Sequence, residues 1–497
     1  MAKFCVIVPV EKAADIVSDD RMKALKGQTF SDWECHCPVS SSEAAPGCGD
    51  DRVHLGPEGL DTFSKLINFA ADKGCDYILP LAAGIELHAN ALQEFAAFLD
   101  ANPNVSVAYS SFKEGGKDGN YTDVHLFEHE GCPHERFDFG FLKIYRTSAV
   151  KKVGGARADL VHAGEYDLDL KLADDTKLSL LDKVLYTAHP QGGGDEKPSA
   201  LHSPGKGKLG GFSYIFYPED LEKEVTSVFE DMLRRRGAWI DHDTVEVAYP
   251  AEPYEYLATV IIPVLNRAKF IGNALDRVIE GKFENFEVVV IDNGSTDGTQ
   301  AVVEEYAKRD PRVRLLHGKG GSIASALNEG IKAAKGKYIC QLDSDDEYTP
   351  DTLEKMVGHM ESHPKCGLAI SYYELMDENR GKVEGIDPVT HSGYTRNQIL
   401  RRDGGGALRV FPKVVLEEMG YYDEEHFGNF GEDYDMVLKT GEKYDVDRVH
   451  HVLYRYRRHE DNTDITRDPL MKIQNKNNAR LNALARRKKI NKELGKA

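Results

Sequence analysis

The sequence predicts an α/β protein built from two tandem domains, each a mainly parallel sheet with helices on both faces. Three observations carry this expectation. The chain repeats itself, with five blocks recurring in one order about 255 to 268 residues apart. Within each copy, short apolar runs alternate with amphipathic stretches, the pattern of strands joined by crossover helices. Finally, 497 residues exceed what one hydrophobic core organises, while 41% apolar and 29% charged residues are ordinary for a globular chain.

Taken in order, CVIVPV around Pro9 matches VIIPV around Pro263, and Lys26 to Glu34 matches Glu280 to Glu287. Gly74 to Leu92 lies against Gly336 to Leu353, with Tyr77 on Tyr338, Leu81 on Leu342 and Glu86 on Glu347. Phe141 to Gly155 then matches Ala407 to Gly420, and Gly164 to Leu172 matches Glu432 to Lys439. The expected domains are 1–195 and 256–460. In the second copy TVIIPV, FEVVVID, RVRLLH and KYICQLD read as strands, and the segments after Phe270, after Thr299, from Ile323 and from Pro350 read as helices. Between the copies, 196–255 is the expected linker. The stretch from His189 to Gly211 is rich in Gly, Pro and Ser, and a helix follows over Pro218 to Gly237, acidic at its start and closed by arginines. The tail, 461–497, is basic and helical, with a partial apolar face of Leu470, Ile473, Leu481 and Leu484.

Composition excludes several classes. A net charge of −19 argues against nucleic acid as a partner, because phosphate neutralisation needs a basic surface. No apolar run is long enough to span a bilayer, and the N-terminal run ends in charges rather than at a small-residue cleavage site. Eight cysteines without paired CxxC spacing do not suggest a zinc ribbon or a disulfide scaffold, and a reducing cytoplasm fits best.

In such sheets ligands bind beyond the carboxyl ends of the strands, so the residues after each apolar run are informative. In the second copy these are Leu265 to Arg267, Asp292 to Thr299 and Asp343 to Pro350. Each alone could be a turn, a helix cap or a solvated acidic loop. Together they suggest a site. Asp343, Asp345 and Asp346 crowd like charges onto one turn, which is costly without a cation. Oxygen ligands suit Mg²⁺ or Mn²⁺, which commonly share their shell with substrate phosphates. Asp292 could accept hydrogen bonds from a nucleoside, with the Gly294 to Gly298 turn letting backbone approach the ligand.

VIIPVLNR, VVVIDNGSTDGT, LNEGIKAAKGKYICQLDSDD and GEDYD together resemble the family 2 glycosyltransferases, inverting enzymes of the GT-A fold, over about residues 257 to 460. The resemblance implies a nucleotide-sugar donor, with Pro263, Asn266, Arg267 and Asp292 near the nucleoside. Asn293, Ser295 and Ser344 join them as candidate donor-binding residues. Asp343 and Asp345 form the DxD element for ribose and metal, with Asp346 alongside. The catalytic base of the ED pair falls on Asp433, after Glu432. YRYRRHEDNT resembles the trailing HxxN element, placing His459, with Asn462, near metal or diphosphate. The chain departs from the pattern at Leu327, where many members carry an arginine.

In the first copy Asp292 projects onto Val39, and Asp343, Asp345 and Asp346 onto Ala82, Gly84 and Ile85, so a degenerate domain without a metal site is expected. The functional expectation is a metal-dependent inverting transferase, using Mn²⁺ or Mg²⁺, that moves a hexosyl or N-acetylhexosaminyl group in polysaccharide biosynthesis. Its donor is a nucleotide sugar, a UDP-sugar by preference, and its acceptor a hydroxyl of a glycan, lipid-linked glycan or protein. A bifunctional glycan polymerase and a non-catalytic carbohydrate-binding scaffold stay open as alternatives. A homo-oligomer and a peripheral contact of the basic tail with the inner face of a membrane are further expectations about partners.

Overall fold

A computed structural model describes residues 3–41, 49–115, 120–128, 139–189, 218–390, 395–401 and 405–496. The chain divides into two compact units, Met1–Arg236 and Gly237–Ala497. Most of the Gly-, Pro- and Ser-rich connector, 190–217, lies outside the described residues.

The first unit contains β1 (Phe4–Ile7), β2 (Val10–Lys12), β3 (Trp33–Cys37), β4 (Val39–Ser41), β5 (Val53–Leu55), β6 (Tyr77–Pro80), β7 (Ile85–Leu87), β8 (Val105–Gly115), β9 (Tyr121–Val124), β10 (Lys143–Arg146) and β11 (Lys177–Ala188). Its main sheet runs β5-β3-β1-β6-β10-β8-β11-β7, and β9 adds to β8. The second unit contains β12 (Tyr256–Val264), β13 (Phe286–Asp292), β14 (Val313–His317), β15 (Gly336–Gln341), β16 (Glu347–Tyr348), β17 (Cys366–Met376), β18 (Arg409–Pro412) and β19 (Asp445–Arg457), ordered β14-β13-β12-β15-β18-β17-β19-β16. In both sheets the first four strands are parallel, the fifth is antiparallel to its two neighbours, and the eighth is antiparallel to the seventh. The chain is therefore a tandem pair of mainly parallel, Rossmann-like α/β sheets, the architecture expected of GT-A-like domains.

Register makes the repeat exact enough to compare positions. Phe4 faces Trp33 and Tyr77 as Ala258 faces Phe286 and Tyr338. Val10 faces Val39 as Val264 faces Asp292, and Ile7 faces Pro80 as Ile261 faces Gln341. On the antiparallel strand, Arg146 faces Tyr77 as Pro412 faces Tyr338, so Lys143 occupies the place of Arg409.

The central strands read as unbroken apolar runs because helices cover both faces: every residue of β13, FEVVVID, is buried. The helix Ile323–Ala333 comes close to the sheet at Gly330, where a Cβ would meet Ile261 and Ile291 carbons at 2.7 Å. Each unit also ends in a helix packed on an earlier one, Glu219–Arg235 on Gly164–Asp175 and Pro469–Glu493 on Glu432–Gly441. In the first, Glu219–Arg235 buries Val225, Val228, Phe229, Met232 and Leu233, and its Glu224 accepts hydrogen bonds from the amides of Val161, His162 and Ala163 at 2.8 to 3.0 Å. These amides lead into the helix Gly164–Asp175, where a carboxylate is favoured by the orphan N–H groups and the helix dipole.

The second unit's terminal helix, Pro469–Glu493, differs from the apolar stripe expected of it. Its buried face includes Lys472, Asn477, Arg480, Arg487 and Asn491 besides Ala479, Ala483 and Leu484. The Arg480 Nε donates to the Leu400 carbonyl at 2.9 Å, Arg486 pairs with Glu442 and Asp435, and Asn491 donates to the carbonyls of Gly237 and Trp239. Much of the tail's basic character is thus spent inside its own unit. No helix among the described residues is long and apolar enough to cross a membrane.

Candidate active site

The expected residues gather at the carboxyl ends of β12, β13 and β15 and at the end of β19. After β12 the chain turns through Asn266, held at φ 53°, a left-handed conformation that asparagine tolerates better than most side chains. Its amide donates to Ser295 Oγ at 2.8 Å, and its Oδ1 accepts from the Thr296 amide at 2.8 Å. That pair ties the loops after β12 and β13 together. Asp292, almost wholly buried at the end of β13, accepts from the Ser295 amide at 3.2 Å and from Gln300. The Asn293 amide donates to the Val264 carbonyl at 2.9 Å, while its side chain reaches the Ser322 carbonyl at 3.3 Å. Pro263 is partly buried within β12, between these loops and the core.

Beyond β15 stands the acidic turn. Asp343 is pushed up to about 6 by burial and by the charges of Asp345 and Asp433, with Arg409 opposing them. Ser344 is buried beside it. Asp345 experiences the same burial, yet is held below the usual carboxylate range, because His459 Nε2 donates to its Oδ2 at 2.9 Å and the Arg267 guanidinium lies 3.2 Å from the same oxygen. Asp346 goes the other way: burial, then repulsion from Asp345 and Asp343, raises it well above the usual range. Its Oδ1 accepts from the Arg457 amide at 2.7 Å, whereas Oδ2 is buried and makes no hydrogen bond, with the Tyr454 hydroxyl beside the carboxylate. Groups of three ligating atoms within 4.8 Å of one another occur, among the described residues, at Cys5, Glu34 and Cys75 and at His359, His363 and Asp447; the acidic turn forms no such group, since Asp345 is turned onto His459 and Arg267.

His459 is fixed from behind. Its amide donates to Asn462 Oδ1 at 2.7 Å, Asn462 Nδ2 donates to the Arg457 carbonyl at 3.0 Å, and the imidazole lies 5.0 Å from the Phe270 ring. Asn462 is buried and spends its side chain on this turn, so it positions the histidine. Glu432 and Asp433 open the helix Glu432–Gly441 behind Gly431, which sits at φ 93°. Asp433 pairs with Arg409 and keeps a third of its side chain exposed. Glu432 is buried, has an unpartnered Oε2 and is pushed up to about 8 by burial and by Asp433. At neutral pH it carries its proton.

Two groupings go beyond the sequence reading. Arg409, in the segment Gly404 to Val410 expected to line the acceptor site, starts β18 and is in electrostatic reach of both Asp433 and Asp343. The other is a buried ionic hub: Glu347 receives Arg457 and Arg380 at 2.7 Å, Arg455 at 3.4 Å and Arg277 at 3.5 Å. Arg457, without solvent exposure, also donates to the Asp345 carbonyl at 2.6 Å and so fixes the acidic turn. The alternation of arginines in YRYRR was the available signal, since residues two apart on a strand share a face.

The profile described as glycosyl transferase family 2 matches residues 259–418, which include the acidic turn but stop short of Glu432, Asp433 and His459. That match, about a third of the chain, lies wholly within the second unit. Similar proteins include an uncharacterised glycosyltransferase of Rickettsia prowazekii, 28% identical over 41% of this chain and 65% of its own length. Glycosyltransferase GlyG of Streptococcus pneumoniae is 29% identical over 35% of this chain and 60% of its own length. The chain therefore spans somewhat less than two thirds of each of these relatives. Among solved structures, S. aureus TarS 1-349 in complex with UDP-GlcNAc is 20% identical, covering 42% of this chain and 61% of that one, with a TM-score of 0.36.

Proposed function

We propose that the second unit transfers a sugar, with inversion, from a nucleotide diphosphate donor to a hydroxyl acceptor. The observation that carries this reading is the meeting, beyond the carboxyl ends of the central strands, of three carboxylates after β15 with Arg267, His459 and a separate, partly exposed carboxylate, Asp433. The match of residues 259–418 to family 2 supports it.

In this reading Asp292, Asn266, Asn293 and Ser295, with Pro263 beneath them, receive the nucleoside, and Asp343 with Ser344 receives the ribose. The unpartnered Oδ2 of Asp346 and the hard oxygen and nitrogen donors around it fit a divalent cation. Asp345, Asp346 and His459 would hold Mn²⁺ or Mg²⁺, which would supply positive charge for the departing diphosphate. Arg267 adds a guanidinium on the same side. Asp433 accepts the proton of the acceptor hydroxyl at its carboxylate, and Arg409 orients that carboxylate. Glu432, protonated at neutral pH, is unsuited to that role and acts as its buried neighbour. A UDP-sugar remains the preferred donor, and a glycan, a lipid-linked glycan or a protein the acceptor.

The first unit, in the same reading, performs no metal-assisted transfer. Where the second unit has Asp292, Asp343, Asp345 and Asp346, the shared register puts Val39, Ala82, Gly84 and Ile85. The test is nucleotide diphosphate release from a panel of UDP- and GDP-sugars, with Mn²⁺ and with chelator. Release that requires the cation and disappears in Asp345→Ala is expected. Absence of release from every donor, or release undiminished in Asp345→Ala, would overturn the proposal.

A further inference from the structure

The first unit carries a second chemistry at a place where the second unit carries only structure. In the second unit Glu287, on β13, is a buried hub: its Oε1 accepts from Thr259 Oγ1 at 2.8 Å and from the Lys335 amide at 2.6 Å, and its Oε2 receives Arg314 at 2.7 Å. Register maps this hub onto the first unit residue by residue. Cys5 faces Glu34 as Thr259 faces Glu287, and His36 faces His54 as Val289 faces Arg314. Counting back from Tyr77 and Tyr338, Cys75 stands where Gly336 does. The glutamate is kept, while threonine, glycine, valine and arginine have become cysteine, cysteine, histidine and histidine. Every exchange is to a residue type that ligates transition metals, and the guanidinium that neutralised the glutamate is gone.

We infer that Cys5, Cys75 and Glu34 form a binding site for a borderline-soft divalent cation, zinc foremost, in the first unit, with His36 beside Glu34 as a positioning neighbour. The ligating atoms of Cys5, Glu34 and Cys75 lie within 4.8 Å of one another. The Cys75 thiol is 3.3 Å from Glu34 Oε1, and His36 Nε2 is 3.0 Å from the same oxygen. A tetrahedral zinc with bonds of about 2.0 to 2.3 Å needs ligand atoms about 3.3 to 3.8 Å apart, a modest contraction for Cys5, Glu34 and Cys75 that leaves the fourth position open. Both thiols are buried and Glu34 is half-buried.

Protonation is consistent with a poised, unligated set. The Cys5 thiol is pushed up by its hydrogen bond with Cys75 and by burial, and burial lowers His36. Binding at constant pH releases the two thiol protons as two sulfur–metal bonds form, with no change of oxidation state. The cation would restore the positive charge that Arg314 supplies in the other copy and tie β1, β3 and the approach to β6 together.

The test uses the full chain, reduced with a phosphine and stripped with chelator, then titrated with Co²⁺ and displaced with Zn²⁺. The acidic turn of the second unit has no sulfur, so a sulfur-to-cobalt charge-transfer band separates this site from it, and Cys366→Ser and Cys37→Ser, which should keep the band, exclude the thiols beside Asp447 and Cys35. One equivalent of cobalt giving that band, bleached by zinc, is expected, and the band should persist in Asp345→Asn and in His359→Ala. It should be lost in Cys75→Ser and, as a check against misfolding of that variant, in Glu34→Gln with an unchanged circular dichroism spectrum. Absence of the band in the reduced chain, or a band surviving either substitution, would overturn the assignment. Zinc should also raise the melting temperature of the parent chain and not of Cys75→Ser.

Discussion

At the scale of single residues, the account turns on two adjacent carboxyls that share a helix start but differ in surroundings. Asp433 is partly exposed and pairs with Arg409, whereas Glu432 is buried and pushed up to about 8. Asp433→Asn should therefore lower turnover by about 10²- to 10⁴-fold, the range of a well-placed general base, while donor affinity stays within a few-fold of the parent. A parallel fall in donor affinity would assign the residue to binding instead. Glu432 makes a different prediction. Its folded value lies above its unfolded value of about 4.3, so its contribution to stability is full below that pH and is lost as pH rises toward about 8. Urea midpoints at pH 5 and pH 8.5 should diverge less in Glu432→Gln than in the parent chain. An unchanged divergence would contradict the buried, protonated glutamic acid.

At the scale of elements, β19 and the turn after β15 hold each other in place through charges that water does not reach. Arg457 has no exposure, and its guanidinium bridges Glu347 and the Asp345 carbonyl. Removing the acid strands that guanidinium, so Glu347→Ala should cost about 3 to 5 kcal/mol, the penalty for an uncompensated buried charge. For a unit of this size that is a fall of about 10 °C in melting temperature, with nucleotide binding weakened because Asp345 and Asp346 lose their anchor. A shift of only a degree or two would show the hub to be solvated. The elements themselves were legible in the sequence. FEVVVID is β13, and the stretches from Ile323 and after Phe270 are helices, because strand and helix periods are written in side-chain order. What was not legible was any pairing made across strands. Arg409 against Asp433, the four arginines on Glu347 and the cluster of Cys5, Glu34 and Cys75 join residues tens to more than a hundred positions apart, and only register brings them together. For the same reason the terminal helix was read as basic and partly apolar, when its buried face is lined by arginines and asparagines that serve backbone carbonyls and acids.

At the scale of the whole molecule, one topology is used twice with different chemistry in each copy. The sheets share strand order and register, yet the first carries Val39, Ala82, Gly84 and Ile85 where the second carries four aspartates. On heating, two transitions are expected, and UDP or GDP with Mn²⁺ should move one of them and leave the other in place, since a ligand stabilises only the unit that binds it. Movement of both would mean that the first unit also takes the nucleotide. The most direct test of the central claim is a count of bound manganese by electron paramagnetic resonance, in the presence of UDP or GDP and with zinc-competent thiols blocked. The account predicts one Mn²⁺ per chain in the parent protein and none in Asp345→Asn; equal uptake by the two, or none by either, would contradict it.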